Sequence, residues 1–334
     1  MIVLLYNGGL KKSRLFVDIT KIQLRHRINL PHPPLDNRTG SGYNGSDRIN
    51  MRRILAVHPE GMHMFTQEDL KKQLEALGVP RDVPVVVHTS LRAVGDVEGR
   101  GDGLLDALIS WVTRDKSPDG GLLCVPTHTW DRLGGSDPIT MDMNSDRTCV
   151  GTLPTLALRR EDAVRSLHPT HSMAVFGDPE KVSAWTAGEV MTETSTSPDG
   201  CWGRLRTSGG KVLLIGVGHN RDTYLHSVEE WLGVPNRLSE NFVPTRIRLR
   251  SGDVIERPIR CHHTVGISEV SAKYPKYEPA FRAHGCIRDG FVGDAPAQLC
   301  DCLKMAEVMA LVRERTGGAE LLADASPLDP ASYL

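Results

Sequence analysis

The clearest periodicity along the chain begins at Phe65. Thr66 can cap a helix, Asp69 stands three residues on, and Phe65 and Leu70 flank the cap as a hydrophobic staple. Leu70, Leu74 and Leu77 recur at helical spacing, and Gly78 and Pro80 close the element. The β-branched run Val83–His88 predicts a buried strand. A turn holding Gly95, Gly99, Gly101 and Gly103 leads to a second amphipathic helix, with Leu104, Leu105, Leu108, Ile109 and Val112 on its apolar face. Gly121–Pro126 predicts the next strand. The pattern returns at Val212–Gly218, a strand, followed by a helix from about Thr223 to Leu232. Between 240 and 295 the reading is β-rich, with Thr245–Arg250, Val254–Arg260 and Gly290–Val292. A long final helix is predicted over Ala295–Arg315. This alternation implies an α/β sheet with helices packed on it.

Residues 1–60 differ. Leu30–Asn50 is rich in Pro, His, Asn, Gly and Ser with little periodicity, which reads as an irregular or disordered extension. Met51 and Met64 are alternative starts just ahead of the first helix. The expected organisation is an extension over 1–60, one domain over 61–320 and a tail over 321–334.

Composition narrows the classes. The formal charge is −1 over 334 residues, so nothing favours a nucleic-acid or anionic-membrane partner. No apolar run approaches the ~20 residues of a membrane span. Seven cysteines, an odd number in a chain of this size, fit reduced thiols in a cytoplasm better than a disulfide framework.

Candidate chemistry gathers at strand ends. His88 closes one apolar run, His128 follows Cys-Val-Pro-Thr, and His219 follows Leu-Leu-Ile-Gly-Val-Gly. Ligands of open α/β sheets bind beyond the carboxyl ends of strands, so the set suggests one shared cleft. In Val212–Glu230, His226 and Glu229 stand at i and i+3 on one helical face. A carboxylate beside an imidazole suits a general base, although such a pair is more often a surface ion pair. Ser166–Gly177 offers His168, His171 and Ser172, and these side chains can equally satisfy backbone groups of a loop. Cys261-His262-His263 is dense in metal-ligand types, but in a strand His262 and His263 would face opposite ways. No HExxH-type pattern accompanies them, so no metal is expected.

Six segments occur in a telling order: HTSLRAVG (His88–Gly95), VPT (Val125–Thr127), GTLPTLAL (Gly151–Leu158), SLHPTHSMAVFG (Ser166–Gly177), SPDGCWGRL (Ser197–Leu205) and VLLIGVGHNRDTYLHSVEE (Val212–Glu230). In this the chain resembles the aminoglycoside 3-N-acetyltransferase family over about 65–315. The resemblance implies a three-layer α/β/α sandwich around a mixed sheet with a smaller β-rich subdomain, distinct from the GNAT acetyltransferases. It implies acetyl transfer from acetyl-CoA to an amine, in known cases the 3-amino group of 2-deoxystreptamine antibiotics. The family's T-x-x-H-x-x-E segment falls on Thr223–Glu229, which makes His226 the expected base and Glu229 its carboxylate.

For the co-substrate, the expected contacts are His88, Thr89, Ser90, Arg92, Gly95, Gly101, Gly103, Thr127 and Ser172. The glycine-rich turn and the helix start after it offer N–H groups for phosphate, with Arg92 and Arg100 adding charge. Asp131, His168, His171 and Glu230 are the expected acceptor contacts, and Asp137, Asp142 and Asp146 share an acidic loop with Asp131. The acceptor is a small-molecule amine, an aminoglycoside in the first reading. Rival readings are acyl transfer to a non-antibiotic amine, a metal-dependent hydrolase using the strand-end histidines, and a CoA-binding protein without catalysis. The expected state is monomer or homodimer.

Overall fold

The computed structural model describes residues 64–134, 139–262, 269–318 and 326–334. The expected extension over 1–60, the alternative start at Met51, Asp137 and His263 lie outside them. Thr66 caps helix α1 (Gln67–Leu77) through a capping box: its hydroxyl accepts from the Asp69 N–H, and the Asp69 carboxylate accepts from the Thr66 N–H. Such a cap is worth about 1 kcal/mol.

Along the chain follow β1 (Val85–Thr89), α2 (Leu91–Val94), α3 (Arg100–Thr113), β2 (Leu123–Pro126), β3 (Ile139–Asp142) and α4 (Thr152–Arg159). Then come β4 (Val164–Arg165), β5 (Met173–Phe176), α5 (Pro179–Thr186), α6 (Cys201–Thr207), β6 (Lys211–Ile215) and α7 (Tyr224–Trp231). The last elements are β7 (Arg246–Arg248), β8 (Val254–Glu256), α8 (Glu278–Ala283), β9 (Ile287–Val292), β10 (Ala295–Asp301) and α9 (Cys302–Thr316).

The main sheet has the order β4-β5-β2-β1-β6-β10-β9. β1 runs parallel to both β2 and β6, and every other pairing in it is antiparallel. Strand residues alternate between faces, and the sheet is buried on both. On one face Val85, Val87, Leu123, Val125, Leu213 and Ile215 pack with Leu70, Leu74, Leu104, Leu108 and Leu153 from α1, α3 and α4. On the other, Val86, Cys124, Val175, Val212 and Leu214 pack with Trp202, Leu225, Val228, Phe281 and Met305 from α6, α7, α8 and α9. The result is an α/β/α sandwich around a mixed sheet. A second, three-stranded sheet has the order β3-β7-β8.

One predicted element is corrected. The helix expected over Ala295–Arg315 is β10 followed by α9. Ala295, Ala297 and Leu299 are buried in alternation, Pro296 has no N–H for a helical ladder, and Asp301 caps α9 by accepting from the Lys304 N–H. Periodicity alone merged the two. Within the expected tail, Leu328 and Tyr333 join the core, and the Tyr333 carbonyl accepts from His284 Nε2 at 2.7 Å. All seven cysteines are free thiols. No described helix is long and apolar enough to cross a membrane.

Candidate active site

Because β1, β2 and β6 run parallel, their carboxyl ends lie side by side. A cleft of about 310 Å³ is lined by His128, His171, His226 and His262, with Asp222 and Thr223. Trp130, 46% exposed, also lines it. Of the three strand-end histidines, only His128 lines this cleft, which corrects the expectation that all three share it. His88 stacks 6.2 Å from Trp202. His219 is buried beside Phe281, its Nδ1 at 3.2 Å from Asp222 Oδ2.

The route to α7 explains how His226 reaches the cleft. After β6 the chain turns at Gly216, whose φ of 64° and close approach to Ala93 leave no room for a β-carbon. A 3-10 turn over His219–Arg221 follows. Asp222 caps the helix start, accepting from the Tyr224 N–H at 3.1 Å, while Thr223 makes no side-chain cap. Leu225 and Val228 anchor α7 in the core. His226 is then left 18% exposed, with Glu229 buried one turn on.

The surroundings of His226 are dense. Its Nδ1 lies 2.6 Å from the Tyr274 hydroxyl, which also donates to Glu229 Oε2 at 2.8 Å. Glu229 Oε1 accepts from Arg237 Nε at 3.0 Å. His262 stacks on the His226 ring at 4.3 Å. Burial pushes the Glu229 carboxyl up, but His226, Arg237 and Tyr274 outweigh it and hold the group below the usual carboxylate range. Burial pushes the imidazoles of His88, His128, His168, His171 and His262 down, that of His88 to about 4. The cleft wall is therefore rich in neutral imidazole.

Glu230 points elsewhere. Its Oε1 takes the Thr196 N–H and hydroxyl and His262 Nε2, and its Oε2 takes the Thr194 hydroxyl. Burial raises its carboxyl, and these partners together bring it below the usual range. His168 is enclosed: Nε2 donates to the Thr194 carbonyl, and Nδ1 accepts the N–H groups of Thr170 and His171. His171 lines the cleft, its Nδ1 bound to the Thr170 hydroxyl. Asp131 is paired with Arg147 at 2.7 Å.

The residues expected around the co-substrate divide. Thr127 and Ser172 are buried, their hydroxyls 2.9 Å apart, with Ser172 also held by Arg165. Ser90 is tied through its N–H to the Ile215 carbonyl, and Arg92 is exposed on α2. Gly95 closes α2; Gly101 and Gly103 lie in the first turn of α3. A β-carbon on Gly103 would stand 1.8 Å from the Glu98 carbonyl, so tight backbone packing demands glycine there. None of these seven residues, nor His88 or Thr89, lines the cleft beside His226. Tyr274, Arg237 and Trp130 carry no motif that marks them in the sequence, where His262 stands out only as a metal-ligand type. Among the described residues, no group of three or more His, Cys, Asp or Glu side chains is arranged to hold a metal ion.

Comparison with known proteins points one way. The family model described as aminoglycoside 3-N-acetyltransferase matches residues 86–312. Aminoglycoside N(3)-acetyltransferase VII of Streptomyces paromomycinus is 29% identical over 283 residues, covering 75% of this chain and 93% of that one. The solved structure of AAC-IIIb with CoASH superposes with a TM-score of 0.60 at 22% identity, over 73% of this chain and 94% of that one. AAC-VIa bound to sisomicin gives a TM-score of 0.57 at 25% identity, over 73% and 96%.

Proposed function

Since the chain belongs to the aminoglycoside 3-N-acetyltransferase family, we propose that it transfers an acetyl group from acetyl-CoA to an amine of an aminoglycoside, with His226 as general base. One observation carries the assignment of the base. His226 lines the cleft on a core-anchored helix, with one ring nitrogen held by a buried tyrosine–carboxylate pair. The related chains are aminoglycoside N(3)-acetyltransferases, and fold neighbours carry CoASH in one case and sisomicin in another.

In this mechanism His226 accepts a proton from the acceptor's nitrogen as the nitrogen–carbonyl bond forms. Glu229 and Arg237 stay fixed behind it and stabilise the imidazolium. The tetrahedral oxyanion needs a donor. His128 Nε2, a buried atom without a partner among the described residues, belongs to a ring that lines the cleft just past β2, and as an N–H it fits that task. The carbon–sulfur bond then breaks. His226 returns its proton to the departing thiolate; the one proton released overall is the one the ammonium acceptor loses to solvent before it attacks. The residues expected to hold phosphate remain Arg92, Arg100 and the turn that opens α3.

A second reading, a less charged amine acceptor, also has specific support. The described carboxylates expected to attract a polycation already have cationic or hydrogen-bonding partners: Asp131 with Arg147, Asp142 with Arg248, Asp146 with Arg159, and Glu230 with His262. Thiol release from acetyl-CoA, measured against aminoglycosides and simpler amines, decides between the two. His226→Ala should lower kcat at least ~10²-fold in that assay with acetyl-CoA affinity nearly unchanged. Wild-type turnover in the variant removes His226 from the mechanism.

A further inference from the structure

We infer that Tyr274 is a positioning residue of the reaction: its hydroxyl, wedged between His226 and Glu229, dictates which nitrogen of His226 carries the proton. The inference rests on His226 being the base. It starts from a gap. His226 Nδ1 and Glu229 Oε2 are 3.8 Å apart, too far for a direct hydrogen bond. The Tyr274 hydroxyl fills that gap at 2.6 Å from one and 2.8 Å from the other.

The proton count then has one consistent solution. A phenol has a single proton to give, and an ionised carboxylate can only accept. Arg237 bonds the other Glu229 oxygen and favours the ionised state. The tyrosine proton therefore goes to Glu229 Oε2. The phenolic oxygen is left as an acceptor, so His226 must present Nδ1–H to it. The reverse arrangement would set two acceptors, the phenolic oxygen and Glu229 Oε2, against each other at 2.8 Å. The lone pair consequently resides on Nε2, the nitrogen with no partner among the described residues. When Nε2 takes the acceptor's proton, the new charge is met by the chain Nδ1–H···O–H···carboxylate. No proton leaves that chain. Tyr274 and Glu229 are buried, which keeps these bonds out of water.

Other charged or titratable groups face His226. His262 stacks on it, and Glu230 holds His262. Asp222, Arg221, His128 and His171 share the cleft wall, and Arg237 lies behind Glu229. All of these stay in place when only the phenolic oxygen is removed.

The test is Tyr274→Phe beside His226→Ala in the full chain, with thiol release measured from about pH 5 to 9. The expected result for Tyr274→Phe is a loss of roughly 10-fold in kcat, with KM for acetyl-CoA unchanged. Its kcat–pH profile should depart from that of wild type, because the phenolic acceptor behind the ring is gone. A kcat–pH profile superimposable on wild type, with His226→Ala inactive, overturns the inference and leaves the base intact. Turnover retained by His226→Ala overturns both. A variant-independent check is the nitrogen chemical shifts of wild-type protein labelled at histidine, with the His226 signals identified by their loss in His226→Ala. Nδ1–H at neutral pH is expected, and Nε2–H overturns the inference.

Discussion

Two histidine-bearing regions of this molecule looked alike in sequence and differ in kind. Ser166–Gly177 places His168 where both ring nitrogens bind backbone groups: the Thr194 carbonyl on one side, the N–H groups of Thr170 and His171 on the other. The helix α7 places His226 with one nitrogen on the buried Tyr274–Glu229 pair and its ring on the cleft wall. The first imidazole is a pin for a loop. The second has an anchored side and a working side. Burial and partner count separate them, and neither is visible in the spacing of HPTH or HSVE.

The sharpest way to break this comparison is to remove each ring. His168→Ala leaves two N–H groups and a carbonyl without their partner in a buried site, and should destabilise the fold by roughly 3 kcal/mol. A clear drop in melting temperature is expected, with turnover per folded molecule close to wild type at low temperature. His226→Ala should shift the melt by no more than about 2 °C while losing activity. Should His168→Ala melt like wild type, the pin reading fails.

A comparable effect is expected from acid. His88 titrates near 4 in the folded chain because burial disfavours its charged form. Unfolded histidine takes its proton near 6.5. Between those values the unfolded chain binds more protons, so stability should fall as pH drops from about 6.5 and level off, for His88, below about 4. Its share is at most about 3 kcal/mol. Denaturant melts at stepped pH should show this slope, and His88→Gln should flatten it. A flat curve in the wild type would refute the neutral-imidazole description of the interior.

The smallest effect concerns Glu230. Its carboxyl is held below the ordinary range, so its stabilisation is fully present above the unfolded value near 4.3 and disappears as pH falls through the lower folded value. Glu230→Gln should weaken the fold by about 1 kcal/mol at neutral pH and remove that acid-side loss. An acid titration identical to wild type would mean the carboxylate adds nothing beyond its shape.

Much of the scaffold was legible because each local signal agreed with the packed result. The Thr66 cap, the Leu70-Leu74-Leu77 stripe and the Val85–Val87 run each behave as their periodicity demands. The Ala295–Arg315 reading failed where alternation across Ala295, Ala297 and Leu299 was too short to stand out from the helix after it. The partners of His226 were illegible for a different reason. Tyr274 is 48 residues away and His262 is 36, and no local pattern announces which distant ring will meet a helix face. Asp131, Asp142 and Asp146 pair with Arg147, Arg248 and Arg159, partners that the spacing of the aspartates does not announce.

Tyr274 belongs to the 3-10 run Val270–Tyr277, eight residues of a geometry whose hydrogen bonds are poorer than those of an α-helix. Its hold on the fold comes from the rings of Tyr274 and Tyr277, buried in the core, more than from its backbone ladder. Any loosening of the run by gentle warming, short of melting, should therefore cost turnover roughly the same 10-fold as loss of the phenol, with the circular-dichroism spectrum still that of a folded sheet. Cooling should restore it at once, since nothing but a short clasp has come undone.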